Sequence, residues 1–328
     1  MINLTNSIKK TTAFNIVKKD KENGSLSHAY LLTVNDKVFL KDYLKAFAKL
    51  ICCEESGVCE TCRTCTLIES EKHLDVTFLP KEKAILTADI DSLIENAYIK
   101  TFEGGKRLFI LSHAENMNAV SQNKLLKILE EPPENVYILL GVVSDYPLLQ
   151  TVKSRVKKLE IPPFSKEELF SLLEKDYLDK NRLELATVNS DFSVGEVIRL
   201  YENQELLEVK KLADSVIVNL NSSSKVLETS YEIMKKKAYF TDFINFLENN
   251  YRNMLLYFEN KKELILDKNI TYLVETSIDY KTQSIVAILD KISTAKKKLF
   301  YNGNEQMVLE WLLLQILEVK YICKKLSV

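Results

Sequence analysis

The sequence predicts an α/β domain with a parallel sheet, followed by an all-helical remainder. Three observations carry this reading. Up to Ile161, short apolar runs alternate with segments of helical period. Beyond Phe164, nearly every segment has helical period. Glycine is scarce, 7 in 328 residues, while Leu, Lys and Glu are abundant, so tight turns are few and helix formers many.

The elements follow in order. Asn6–Lys21 reads as a first helix, Lys-rich on one side. The run Ala29–Thr33 is a short buried strand, Asn35-Asp36 a polar turn, and Phe39–Cys52 a helix with Phe39, Leu44, Phe47 and Leu50 on its apolar side. His73–Pro80 is a strand stopped by proline. Thr87 is an expected N-cap for a helix carrying Ile90, Leu93, Ile94 and Ala97. Leu108–Leu111 is a buried strand. A helix with Leu125, Leu126 and Leu129 on one side ends at Pro132-Pro133. The apolar run after Asn135 and the stretch Val156–Ile161 complete the sheet. Ser165 and Glu168 form a capping box at the start of the helical part. Two long segments there, Lys210–Lys237 and Ser284–Leu326, have the period of packed bundle helices.

Composition bounds the function. The hydrophobic and charged fractions, 46% and 28%, are those of an ordinary globular protein. A net charge of −1 gives no global basic field for nucleic acid or anionic lipid. No apolar run of 18 residues occurs, so no membrane span and a cytoplasmic location are expected. No glycine begins a G-x-x-x-x-G-K-[ST] or G-x-G-x-x-G pattern. A phosphate loop needs such glycines to turn backbone N–H groups inward, and a Lys for charge.

Cys53, Cys59, Cys62 and Cys65 stand as C-x5-C-x2-C-x2-C. Overlapping C-x-x-C steps let four thiolates converge on one Zn²⁺ and close its shell, which marks a structural site. The adjacent Cys52 could compete with Cys53 as a ligand. His73 lies too far along the chain for the tight cluster and is only a reserve ligand. A single redox C-x-x-C pair would not sit inside a cluster of four.

Several stretches together carry a resemblance: "LSHAYLL", the four-Cys cluster after the first strand–helix unit, "NKLLKILEEPP", "TVKSRV" and "NGNEQMVLEWLLL". The chain resembles the delta-prime family of bacterial DNA polymerase III clamp-loader subunits, of the AAA+ class. That resemblance implies a RecA-like AAA+ domain over residues 1–162 with a zinc module inserted at 53–65, a small helical lid over 163–205, and a C-terminal helical collar domain over 206–328. It also implies partners: gamma/tau and delta subunits, the sliding clamp, and primer-template DNA through the complex.

Members with a phosphate loop read G-P-x-G-x-G-K-[ST] after the strand. Counted from His28, the glycines fall on Val34, Lys37 and Phe39, the lysine on Leu40 and the hydroxyl residue on Lys41. The loop is replaced in register, with Phe39 and Leu40 filling phosphate space and no nest of donors left. The acidic pair expected after Leu108–Leu111 is Ser112-His113, which cannot hold Mg²⁺ or orient water. Glu115 is out of register. The chain is therefore expected to bind no ATP and to be no enzyme in its own right.

The resemblance carries one catalytic assignment. Arg155 in "KSRV" matches the arginine that projects toward ATP on a neighbouring subunit, a role its permanent charge and planar fork suit. Glu130-Glu131 are expected to meet basic groups of an adjoining subunit, Lys296-Lys297-Lys298 to form a solvated face, and Trp311 to lie in bundle core or collar interface. Asn302, Asn304 and Gln306 match a collar signature, with Asn304 a local N-cap. The competing readings are a gamma/tau-like AAA+ ATPase with a divergent phosphate loop, and a zinc-stabilised DNA-binding protein.

Overall fold

The structure, a computed structural model, describes residues 4–55, 58–80, 84–102, 105–190, 192–261 and 280–325. The chain forms two compact units, Met1–Lys180 with Asp191–Glu196, and Asn181–Ser190 with Val197–Val328.

The first unit contains α1 (Leu4–Ile8), α2 (Thr12–Glu22), β1 (Ala29–Val34), α3 (Leu40–Cys52), α4 (Arg63–Glu69), β2 (Val76–Leu79), α5 (Thr87–Ala97), β3 (Arg107–Ser112), α6 (Ala119–Glu130), β4 (Val136–Val142), α7 (Gln150–Lys153), β5 (Lys157–Ile161) and α8 (Lys166–Leu173). The strands form one parallel sheet in the order β2-β3-β4-β1-β5. β1 pairs with both β4 and β5, with Leu31 opposite Leu140 on one side and Lys158 on the other. The loop after β1 therefore opens at the carboxyl edge of the sheet, where α/β folds bind ligands.

Both faces of the sheet are covered, as parallel sheets require. Ala29, Leu31, Phe109, Leu111, Ile138 and Leu140 face a core closed by Ile90 and Leu93 of α5 and by Leu125, Ile128 and Leu129 of α6. On the other face Gly141 lets Leu44 of α3 lie against the strand: a Cβ there would sit 2.6 Å from Leu44 Cδ1. Phe14 of α2 meets Phe47 of α3 edge-on at 5.6 Å.

Several boundaries differ from the sequence reading for local reasons. The first helix is two, because Thr11 caps a new one by accepting the Phe14 N–H at 3.2 Å. Leu86, not Thr87, is the N-cap of α5. Its N–H donates to Asp89, while the Thr87 hydroxyl bonds Ser121 of α6 at 3.1 Å. The Ser165–Glu168 capping box forms as expected, with bonds of 2.8 and 3.2 Å.

α9 (Lys180–Val188) lies in the second unit save its first residue, and α10 (Val194–Glu202) begins in the first unit and ends in the second. The second unit continues with α11 (Gln204–Asn219), α12 (Ser223–Lys235), α13 (Phe240–Phe258), α14 (Thr282–Phe300) and α15 (Glu305–Lys325). Each long helical segment of the sequence is two helices, and Leu326 lies outside the described residues. Ser222 restarts one as the N-cap of α12, and Asn304 restarts the other by accepting the Met307 N–H at 3.0 Å. Phe243, Leu247 and Tyr251 of α13 are buried with Ile285, Ile288 and Ile292 of α14 and Leu309, Leu312 and Leu313 of α15. Among the described residues no helix is long and apolar enough to cross a membrane.

Candidate functional site

The four cysteines converge. Cys53 closes α3, Cys62 caps α4, and Cys65 lies in its first turn. Their Sγ atoms all lie within 4.8 Å of one another. Three of the separations are 3.7 Å (Cys53–Cys59), 3.9 Å (Cys53–Cys62) and 3.8 Å (Cys59–Cys65). A tetrahedron with ~2.3 Å metal–sulfur bonds has edges of about 3.8 Å, so these residues fit a four-coordinate metal ion. The Cys62 N–H points at Cys59 Sγ and the Cys65 N–H at Cys62 Sγ. The Cys62 N–H, with other donors, pushes the Cys59 thiol down to about 6, toward the thiolate that metals bind. Cys52 stays outside the cluster, and burial pushes its thiol up to about 12. His73 is buried elsewhere, its Nδ1 accepting the Asp75 N–H at 3.2 Å.

The module is fastened to α3 by charge. Lys41 pairs with Glu71 at 2.6 Å, Lys45 with Glu71 at 3.1 Å, and Lys49 with Glu69 at 2.6 Å. The lysines recur every four residues, one face of a helix turned toward α4.

The loop after β1 keeps strand, turn and helix. Leu40 is buried in the core and Phe39 is half-buried. Backbone donors here converge on the chain's own carboxylate. Asp36 Oδ1 accepts the N–H groups of Val38 and Phe39 at 3.1 and 3.0 Å, and Oδ2 accepts the N–H of Gly195 at 3.0 Å. The sequence showed only a polar turn, because the second half of this contact lies 159 residues away.

At the carboxyl end of β3, Ser112 is buried and His113 takes a left-handed backbone, φ 55°. Glu115 turns back: its Oε1 lies 3.3 Å from His113 Nδ1 and accepts the Val143 N–H at 3.3 Å. His28 bonds the Leu129 carbonyl through Nε2 at 3.1 Å, a packing role.

Arg155 sits in the turn between α7 and β5. Its guanidinium donates to the Thr151 carbonyl at 2.9 Å and pairs with Glu130 Oε1 at 2.7 Å. Glu130, expected to meet a neighbouring subunit, thus has a partner in its own chain. Both side chains keep solvent access, 35% and 49%. In the second unit Lys296 pairs with Glu248, and Lys298 lies 3.4 Å above the half-buried Trp311 ring. That part of the lysine run is therefore engaged rather than simply solvated.

The family model described as DNA polymerase III, delta subunit, matches residues 9–165. The DNA polymerase III subunit delta-prime of Bacillus subtilis is 29% identical over 93% of this chain and 94% of its own. The subunit gamma of Buchnera aphidicola (from Schizaphis graminum) is 24% identical over 90% of each. Among solved structures, a gamma-subunit-related protein of Thermotoga maritima aligns with 93% of this chain and 99% of its own, at 17% identity and a TM-score of 0.44. The matched stretch 9–165 contains the sheet, the cysteine cluster and Arg155, and the relatives run nearly end to end. The chain is similar to the DNA polymerase III delta-subunit family over residues 9–165, and to DNA polymerase III delta-prime and gamma subunits over almost its whole length.

Proposed function

We propose that this chain is a non-hydrolysing clamp-loader subunit of the cytoplasm that presents Arg155 to ATP held by a neighbouring subunit. It assembles with gamma/tau and delta subunits and helps load the sliding clamp onto primed DNA. One observation carries the reading: the site that would serve the chain's own nucleotide has lost its chemistry, while Arg155 stays solvent-accessible on a turn fixed by Thr151 and Glu130. The replaced loop holds no glycine, Leu40 stands at its lysine position, and Ser112-His113 stand where two carboxylates would hold Mg²⁺. A permanently charged fork can still bond another subunit's phosphate oxygens as negative charge develops on them.

Cys53, Cys59, Cys62 and Cys65 hold Zn²⁺ in this reading. Four sulfurs close the shell, so the ion supplies stability and takes no substrate. The division into sheet domain (1–162), lid (163–205) and collar (206–328) belongs to this reading. β5 ending at Ile161 supports the first boundary, while residue 205 lies inside α11 and the compact units divide near Lys180 and Glu196.

The test is native mass spectrometry of the chain mixed with gamma/tau and delta subunits from the same organism, with ATPase assays on the product. A defined complex is expected, and Arg155→Ala should leave assembly and zinc intact. It should cut clamp- and DNA-stimulated hydrolysis at the served site, where such fingers are worth on the order of 10³–10⁵. Unchanged ATPase overturns the finger. No complex overturns the partners. Micromolar ATP binding by the chain alone would make it a divergent ATPase instead.

A further inference from the structure

Asp36 puts a carboxylate where two helices begin. Its residue is 2% exposed. Val38 and Phe39, which donate to Oδ1, lead into α3, and Gly195, which donates to Oδ2, lies in the first turn of α10. The first N–H groups of a helix have no partner within it, and the helix dipole favours an anion there. Phosphates commonly take such seats. Here the seat is filled from within, and all three bonds go to one charged group.

An independent observation fixes the other side of the contact. A Cβ on residue 195 would lie 2.4 Å from Val38 Cβ and 2.7 Å from Asp36 Oδ1. Only glycine lets the backbone of α10 come this close. Its neighbour Ser193 accepts the Glu196 N–H at 3.3 Å, so the turn is capped separately and the Gly195 N–H is left for Asp36.

We propose that Asp36 is a resident anion: its carboxylate ties the loop 36–39 to residues 193–196 without any nucleotide and excludes a phosphate from that seat. A nucleotide's tie is broken when the nucleotide leaves, whereas this one is covalently part of the chain. Asp36 and Gly195 are thus positioning residues that act as a pair. The inference goes beyond the arginine reading and does not depend on Arg155.

Amide hydrogen exchange on the full chain tests it, read on peptides covering 35–40 and 193–197 with β4 as internal reference. Asp36→Ala should speed exchange at least tenfold in both peptides together while β4 is unchanged. Gly195→Ala should do the same to both. The double variant should add little to either single one, since both break one contact. Asp36→Asn keeps the shape but offers one acceptor oxygen instead of two, so it should loosen one peptide and spare the other. That variant keeps the test open if Asp36→Ala fails to fold. Magnesium ATP or pyrophosphate should leave exchange of the unmodified chain unchanged. If Asp36→Ala loosens 35–40 and leaves 193–197 as before, the tie is refuted and the function proposed above stands. Protection of 35–40 by ATP or pyrophosphate would overturn both this proposal and the nucleotide-free reading.

Discussion

Stripping the metal from the four cysteines should melt residues 54–62 and spare the sheet. Ordering a residue's backbone costs ~1–2 kcal/mol. The seven described residues of this stretch, 54, 55 and 58–62, therefore cost about 7–14 kcal/mol to hold. They return little by burial, since Val58 is their one buried hydrophobic residue and is worth ~1.5–3 kcal/mol. A structural zinc contributes ~10–16 kcal/mol in small metal-dependent folds, enough to supply the difference. The helices on either side do not depend on it. Ile51 of α3 and Ile68 of α4 are fully buried, and the Lys41–Lys45–Lys49 ladder holds α4 through Glu69 and Glu71. Hydrogen exchange before and after a strong chelator is the assay, with elemental analysis of the reduced protein. One zinc per chain is expected, with exchange of 54–62 rising to the rate of free chain and α3, β1 and β4 unchanged. Cobalt substitution should give the thiolate charge-transfer bands of a tetrahedral sulfur site. A protein purified reduced with no stoichiometric metal, or unaltered exchange in 54–62 after chelation, refutes the reasoning.

Two further outcomes follow from the core of the sheet unit. Gly141→Ala pushes a methyl to 2.6 Å from buried Leu44, and overpacking of this kind costs about 1–3 kcal/mol. Leu44→Ala alone should cost about 2–5 kcal/mol, yet the double variant should cost less than their sum. Strict additivity in urea unfolding would show that the two do not share the space. Arg107→Ala removes the cation that pairs with buried Asp75 at 3.0 Å and leaves the carboxylate to the Phe102 N–H, and should cost about 3–5 kcal/mol. Because Arg107 also holds the carbonyls of Asn96 and Lys100, exchange at 96–102 should rise with it. A loss below about 1 kcal/mol would mean the pair is not desolvated as its burial implies.

What the sequence disclosed depended on how local each signal was. The cysteine cluster needed only spacing, because a knuckle of two C-x-x-C steps builds most of its own geometry within thirteen residues of chain. The Ser165–Glu168 box and the Asn304 cap were equally local, three residues from donor to acceptor. Thr87 misled because Ser, Thr and Asp all suit the start of a helix, and the choice fell to Asp89 reaching back to Leu86 while Ser121 engaged the threonine. The long helical segments broke where the chain reverses: Asn302 there adopts φ 59°, a backbone that asparagine tolerates but that no hydrophobic period announces. What Glu130 and Asp36 meet was not legible, for the opposite reason. Their partners, Arg155 and Gly195, are set by tertiary structure, and nothing in the flanking residues points to them.

The degenerate loop and the retained arginine obey one energetic logic. In the proposed reading Val34, Lys37, Phe39 and Leu40 stand where a phosphate loop has its glycines and lysine, and Phe39 gives the start of α3 no side-chain cap. Asp36 takes up the two N–H groups just before the helix, those of Val38 and Phe39, from within the chain. Arg155 carries the converse arrangement. Its pair with Glu130 is exposed on both sides, and such pairs are worth ~0–1 kcal/mol. An arginine finger worth on the order of 10³–10⁵ in rate corresponds to about 4–7 kcal/mol of transition-state stabilisation. In the finger role proposed above, a resting contact this weak would hold the guanidinium in place yet yield to a triphosphate brought beside it. In that reading the buried Asp36 carboxylate holds the loop, while the exposed Glu130 carboxylate holds Arg155 only loosely.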